Sequence, residues 1–300
     1  MKKLAIVSLM SDGGCHVAFL DMHENILKLL QNVELVHSYM VLDVRRIPDS
    51  VDIILVEGGV RTSHDIEVLK EARRKAKILV ALGSCACFGG IPGLSNLFDL
   101  YSSLKYVYEK TPTIIKGVIP RENVPEVVRV SPISRYVKVD FQIPGCPPEP
   151  KEIMEVILSL AKGEKPIQPT KTVCDECPLG PPRKKPSGLR RIFEPPKPNT
   201  CLLEQGYFCM GPVTRAGCGA KCPRAGIPCD GCRGPASKIL DQGAAMLNTL
   251  ATIAYDTIKD FNLRTYSAYF YRYSFASSLI EDLIRKIKVR KSESTDKASY

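Results

Sequence analysis

The sequence predicts an α/β fold: an open parallel sheet covered on both faces, followed by a mostly irregular segment stapled by cysteines. Three observations carry this expectation. Unbroken Val/Ile/Leu runs recur through the first half of the 300 residues, with helical patterns between them. Runs of that kind belong to strands buried on both faces of a parallel sheet. Nine of the 23 prolines then lie between Pro166 and Pro198, where they remove backbone donors and restrict their neighbours. Finally, eight of the 12 cysteines fall between Cys174 and Cys232.

Taken in order, Lys3 to Leu9 is the first strand. Val17 to Leu30 is the first helix, with Phe19, Leu20, Ile26, Leu27 and Leu30 at helical spacing. Val51 to Val56 is a second strand, ended by Glu57-Gly58-Gly59, and His64 to Lys75 a helix charged on one face. Lys77 to Leu82 is a third strand, ended by Gly83. Val137 to Ile143 is a fourth, ended by Pro144-Gly145, and Glu152 to Ala161 is a closing helix. The expected arrangement for residues 1-162 is a flavodoxin-like open sheet, with sites at the carboxyl ends of its strands. Residues 163-240 form a second, irregular domain that needs some staple other than apolar burial. Pro235 to Ile258 reads as a helix, and 241-300 as a C-terminal helical and basic tail.

At 44% hydrophobic the chain is not a disordered one. No run of 18 uncharged apolar residues exists, so no membrane span is expected. Met1-Lys2-Lys3 leads straight into Leu4-Ala5-Ile6-Val7, so no signal peptide and a cytoplasmic location are expected. Dense cysteine in that setting reads as metal or redox chemistry rather than a disulfide framework. Four thiolates are the full ligand set of one 4Fe–4S cluster or one structural zinc, and 12 cysteines make three such sets.

In the first half, Cys15, Cys85 and Cys146 each follow a strand, in the loops Asp12-Gly13-Gly14-Cys15, Gly83-Ser84-Cys85-Ala86-Cys87 and Pro144-Gly145-Cys146-Pro147-Pro148. Such loops share one edge of a parallel sheet, so the three thiols can converge there. The glycines allow backbone to approach an inorganic cluster and free N–H groups for it. Three unrelated buried thiols are the plain alternative. In the second half the order is Cys174-x2-Cys177, Cys201-x7-Cys209, Cys218-x3-Cys222 and Cys229-x2-Cys232. These pairs indicate two metal centres, and spacing does not choose zinc over iron–sulfur.

These residues resemble the small subunit of NiFe hydrogenases, most closely the cytoplasmic archaeal kind found in sulfhydrogenases and NADP-linked hydrogenases. The matching stretches are Glu57-Gly58-Gly59, Gly83-Ser84-Cys85-Ala86, Gly145-Cys146-Pro147-Pro148, and Cys201 through Cys209-Met210-Gly211-Pro212 to Cys232-Arg233-Gly234. The resemblance runs over about residues 3 to 240. It implies three 4Fe–4S clusters relaying electrons between the NiFe site of a large subunit and a ferredoxin-like, flavoprotein or other redox partner. The proximal cluster would use Cys15, Cys85 and Cys146. The family's fourth proximal ligand is a cysteine three residues before the position of Cys15, and here that residue is Asp12. Asp12 through its carboxylate is the favoured fourth ligand, with Cys87 or solvent as the others. By the family pattern Cys174, Cys177, Cys201 and Cys209 would hold the distal cluster. Cys218, Cys222, Cys229 and Cys232 would hold the medial one.

Other residues carry less. Glu57, at a strand end on the cluster edge, can take part in proton movement, orient the large subunit, or simply cap its loop. His16 can bond the proximal cluster or be structural. Arg183-Lys184-Lys185, Arg190-Arg191 and the run from Arg285 to Lys291 supply much of the net charge of +10. They read as a solvated face or a site for an acidic partner rather than for nucleic acid. The aromatic stretch Tyr266 to Tyr273 reads as ordinary helix core or as an interface, the latter favoured. Two other readings remain: a cluster-bearing subunit of a complex-I-like assembly, and a zinc-binding nucleic-acid module.

Overall fold

The computed structural model describes residues 1–186, 188–190, 193–258 and 268–286. Lys2–Ser8 forms β1, Val33–Ser38 β2, Val51–Glu57 β3, Val60–Thr62 β4, Ala76–Leu82 β5, Val127–Ser131 β6 and Phe141–Ile143 β7. Five of these make one sheet in the order β2-β1-β3-β5-β7, each neighbouring pair parallel. Counting only the strands of that sheet, the order is the 2-1-3-4-5 of a flavodoxin-like fold. β4 and β6 pair antiparallel in a separate two-stranded sheet.

Side chains alternate across the strands, so both faces of the sheet are apolar. Leu4, Ile6, Ile53, Leu55, Val80 and Leu82 face one layer of helices. That layer contains α1 (Gly14–Leu20), α2 (Asn25–Leu30) and, from later in the chain, Pro150–Lys162, which contribute Phe19, Leu29, Ile153 and Ile157. Ala5, Val7, Ile54, Val56, Leu79 and Ala81 face the other layer. There α3 (Ser63–Lys75) and α4 (Gly83–Phe88) supply Leu69, Ala72, Ala86 and Phe88. α3 starts cleanly because Asp65 N–H donates to Thr62 Oγ1 at 3.1 Å while Thr62 N–H donates back to Asp65 at 2.7 Å. Leu100–Lys105 is α5, and the Pro150–Lys162 helix, α6, opens on proline and stops at Gly163, whose φ is 79°.

Three expectations need correction. The helix expected over Val17 to Leu30 is two short helices, broken at Asp21–Glu24 where His23 takes φ 49°. The strand expected from Val137 pairs only from Phe141, because the Asp140 carboxylate accepts the Leu79 N–H at 2.8 Å and ends the ladder there. The helix expected from Pro235 begins at Gln242, where Asp241 Oδ1 accepts the Ala244 N–H at 2.9 Å as a cap.

The chain divides into two compact units, Met1–Pro169 with Cys232–Gly234, and Thr170–Gly231 with the segment from Pro235 onward. Among the described residues the second unit holds α7 (Val173–Glu176), α8 (Lys221–Arg224), α9 (Gln242–Ile258) and a helical stretch over residues 279–286, with single bridges Thr172–Arg215 and Thr214–Pro235. Arg191, Tyr266, Ser267 and residues 287–291 of the expected basic and aromatic stretches lie outside the described residues. No helix among the described residues is long and apolar enough to cross a membrane.

Candidate metal-cluster sites

In the first unit the carboxyl ends of β1, β5 and β7 deliver the three loops expected to carry a cluster, and that of β3 delivers Glu57. Asp12 is exposed, Cys15 and Cys85 are half-buried and Cys146 is exposed. These groups sense one another. Burial pushes the Cys15 thiol far up, and the nearby Glu57, Cys85 and Cys146 push the same way. Cys85 is pushed up to about 12 by burial, then by Cys146 and Asp12. Cys146 is raised by burial and then by Asp12. The Asp12 carboxylate acts on Cys85 and Cys146 in this way, and its Oδ1 accepts the Gly14 N–H at 2.9 Å.

Glycines shape this nest. A Cβ on Gly83, at φ 84°, would strike Cys15 Sγ, and one on Gly90 would strike Cys85 Sγ. Cys87 behaves differently. It is buried in the apolar layer around α4, with its Sγ 3.6 Å from the Ala81 carbonyl.

Behind the thiols lies a polar knot that the sequence did not reveal. Glu57 and His16 are 1% and 0% exposed. Glu57 Oε1 accepts from Ser8 Oγ at 2.7 Å and lies 2.7 Å from His16 Nδ1, while Oε2 accepts the His16 N–H at 3.2 Å. A carboxylate only accepts, so Nδ1 carries the proton. Burial would raise the Glu57 carboxyl, but the hydrogen bonds from His16 and Ser8 hold it below its ordinary value. His16 Nε2 is buried with no hydrogen-bond partner among the described residues.

In the second unit a pocket is lined by Cys174, Cys177, Cys201 and Cys209, with Leu202, Leu203 and Pro182 among its apolar walls. α7 carries Cys174 and is followed directly by Cys177, its start fixed by Thr172 N–H and Oγ1 donating to Asp175 at 2.7 and 2.9 Å. Cys201 opens a tight turn braced by Gln205, which accepts the Lys197 N–H at 2.6 Å and donates to the Thr200 carbonyl at 2.9 Å. Cys209 Sγ accepts the Cys229 N–H at 3.3 Å. Burial raises the Cys174, Cys201 and Cys209 thiols, Cys174 to about 12 and Cys209 to about 11. A Cβ on Gly211 would stand 3.1 Å from Cys174 Sγ and 3.6 Å from Cys209 Sγ.

Thiols gathered this closely out of water resist ionising alone, and a cationic centre is what lets them ionise together. The donor sets, the trimmed backbone and the N–H groups aimed at sulfur fit thiolate-bound iron–sulfur clusters. Among the described residues no three His, Cys, Asp or Glu side chains close on one point as a single bare ion requires. Of the remaining cysteines, Cys218 is half-buried, Cys222 is exposed on α8, and Cys229 is buried. Glu176 holds their loop by accepting the Gly217 and Gly219 N–H groups at 2.8 and 3.0 Å. Cys232 is half-buried in the first unit.

Comparison with known proteins follows the same lines. Residues 13–160 match the family described as NADH ubiquinone oxidoreductase, 20 Kd subunit. The chain is 48% identical over 251 residues to the vhu-type F420-non-reducing hydrogenase G subunit of Methanocaldococcus jannaschii, covering 83% of this chain and 87% of that one. It is 34% identical over 234 residues to the delta subunit of sulfhydrogenase 2 of Pyrococcus furiosus, covering 78% and 86%. Among solved structures it matches a chain of an NAD+-reducing NiFe hydrogenase in the H2-reduced state. That match has a TM-score of 0.54 and 34% identity, over 56% of this chain and 95% of that one.

Proposed function

The chain belongs to the family of the F420-non-reducing hydrogenase G subunits and sulfhydrogenase delta subunits, and on that footing we propose that it is the electron-transfer small subunit of a cytoplasmic NiFe hydrogenase. Three 4Fe–4S clusters would relay electrons between the NiFe site of a large subunit and a redox partner. The observation that carries this reading is the pocket lined by Cys174, Cys177, Cys201 and Cys209.

Bound there, a cluster supplies one-electron transfer at a potential set by its ligands, its hydrogen bonds and its burial. The chain does the rest. Cys174, Cys177, Cys201 and Cys209 would hold the distal cluster, with the Cys229 N–H tempering the charge on Cys209 Sγ. Leu202, Leu203 and Pro182 keep water from it. Cys15, Cys85, Cys146 and Asp12 would hold the proximal cluster, and Cys218, Cys222, Cys229 and Cys232, grouped by spacing, the medial one. Asp12 offers a hard oxygen in place of a thiolate, which makes its iron the most exchangeable. The basic Arg183, Lys184, Lys185 and Arg190 suit an acidic ferredoxin-like or flavoprotein partner.

The 20 Kd subunit match supports a complex-I-like reading for the first half, but it ends at residue 160 and leaves the eight cysteines from Cys174 onward unexplained. A zinc-binding nucleic-acid module leaves the strand-end thiols unexplained. Anaerobic purification followed by metal analysis separates the three. About twelve irons per chain, with stoichiometric nickel in a co-purifying subunit, are expected. A colourless protein with about two zincs, or four irons and no nickel partner, overturns the reading.

A further inference from the structure

Three cysteines assigned above to two different clusters are tied to one another by two side chains that are not themselves ligands. The Ser84 hydroxyl donates to the Cys232 carbonyl and accepts the Gly145 N–H at 3.2 Å, while the Ser84 N–H donates to the Gly145 carbonyl at 2.8 Å. Ser84 precedes Cys85 and Gly145 precedes Cys146. Beside this knot Arg233, 2% exposed, donates to the Pro144 carbonyl at 2.9 Å and forks onto the Glu152 carboxylate of α6 at 2.7 and 2.8 Å. A Cβ on Gly234 would strike the Phe88 ring at the end of α4, so the segment seats against that ring with glycine at this position.

We propose that Ser84 and Arg233 are positioning residues that fix the ligand geometry of the proximal and medial clusters together. The inference rests on the cluster reading above. Ser84 is 1% exposed and uses its hydroxyl both ways, as donor and acceptor, so it leaves little freedom to either neighbour. Holding the Cys232 carbonyl fixes the peptide plane from which that thiol projects, and holding Gly145 does the same for Cys146. The contacts join segments 61, 148, 89 and 81 residues apart, across which the chain itself imposes no geometry. Arginine suits this place because its rigid fork meets a carboxylate and a carbonyl at once, which a lysine does not. The distal set takes no ligand from these segments.

The test uses the complex purified anaerobically with its partner subunits, compared with Ser84→Ala, Ser84→Thr and Arg233→Lys versions. Iron is counted and the reduced clusters are followed by electron paramagnetic resonance through a redox titration. In Ser84→Ala two of the three cluster signals are expected to shift in g-value and midpoint, with the third unmoved. Ser84→Thr, which keeps the hydroxyl, is expected to restore both. Three unmoved signals, a shift of one alone, or a uniform shift of all three overturns the proposal. Should Ser84→Ala not fold, Arg233→Lys disturbs the same knot more mildly, and the same two-of-three pattern is required of it. A wild-type complex without iron sinks the cluster reading instead, so the two failures are distinguishable.

Discussion

His16 and Glu57 face each other 2.7 Å apart, neither side chain reaching water. The carboxylate collects the His16 ring, the His16 N–H and the Ser8 hydroxyl, which ties the ends of β1 and β3 to the start of α1. Removing it leaves three donors without their acceptor. Glu57→Ala is therefore expected to destabilise the chain by about 3–5 kcal/mol, and Glu57→Gln, which keeps one acceptor, by less. Urea unfolding midpoints under anaerobic conditions measure this. A loss below about 1 kcal/mol for the alanine variant would mean the knot is already satisfied by water.

Tyr269 makes a smaller and separable contribution in the second unit. Its hydroxyl donates to the Phe208 carbonyl at 2.9 Å, next to Cys209, and the Arg272 guanidinium lies 4.8 Å from its ring centroid while pairing with Asp230 at 2.5 Å. Phe208 and Phe270 pack edge to face beside it. Tyr269→Phe keeps the ring and loses one hydrogen bond, which costs about 0.5–1.5 kcal/mol. Tyr269→Ala also loses the packing and costs about 3–5 kcal/mol. Equal losses in the two variants would assign the effect to the hydroxyl and refute the packing argument.

What could be read from the sequence, and what could not, follows the physics of each element. β1, β3 and β5 were legible because strands buried on both faces must be apolar throughout. β2 was not: at the sheet edge its Glu34 is exposed, while its His37 and Ser38 are buried, so no run of apolar residues marks it. Val137 and Val139 look like strand but pack against the core as loop, because Asp140 satisfies the Leu79 N–H with its side chain. The convergence of Cys174, Cys177, Cys201 and Cys209 on one pocket was legible as two spaced pairs, since metal ligation would demand residue type and spacing together. Ser84, Arg233 and the His16–Glu57 pair carry no periodic or spacing signal, since their partners lie 41 to 148 residues away.

Asp140 also gives a pH prediction with a definite sign. Burial pushes its carboxyl up, but the Leu79 N–H and Arg73, at 2.5 Å, outweigh that and hold it below its ordinary value. A group lowered in the folded state stabilises above its unfolded pKa, and that contribution fades as pH falls through the folded one. The contribution is thus complete above about pH 5 and shrinks below about pH 4. Asp140→Asn should be less stable than wild type at pH 7, with the gap narrowing on acidification. A gap that widens between about pH 5 and pH 3 in urea unfolding would show that Asp140 is not held low.

The last prediction separates Asp12 from Cys87 at the proximal site. Asp12 raises the Cys85 and Cys146 thiols, whereas Cys87, which adds weakly to the rise of Cys15, is buried in the apolar layer around α4 with its Sγ 3.6 Å from the Ala81 carbonyl. Reaching a cluster from there would require Cys87 to abandon its core packing. Asp12→Ala should therefore release about one iron per chain and give the oxidised protein a three-iron resonance. Asp12→Cys should keep all four irons at an altered midpoint, because ligand type and charge help set the potential. Cys87→Ala should keep every iron and cost only about 1 kcal/mol, the effect of a small cavity. If iron leaves with Cys87 and stays without Asp12, the fourth ligand is the thiol, and the core around α4 must open to deliver it.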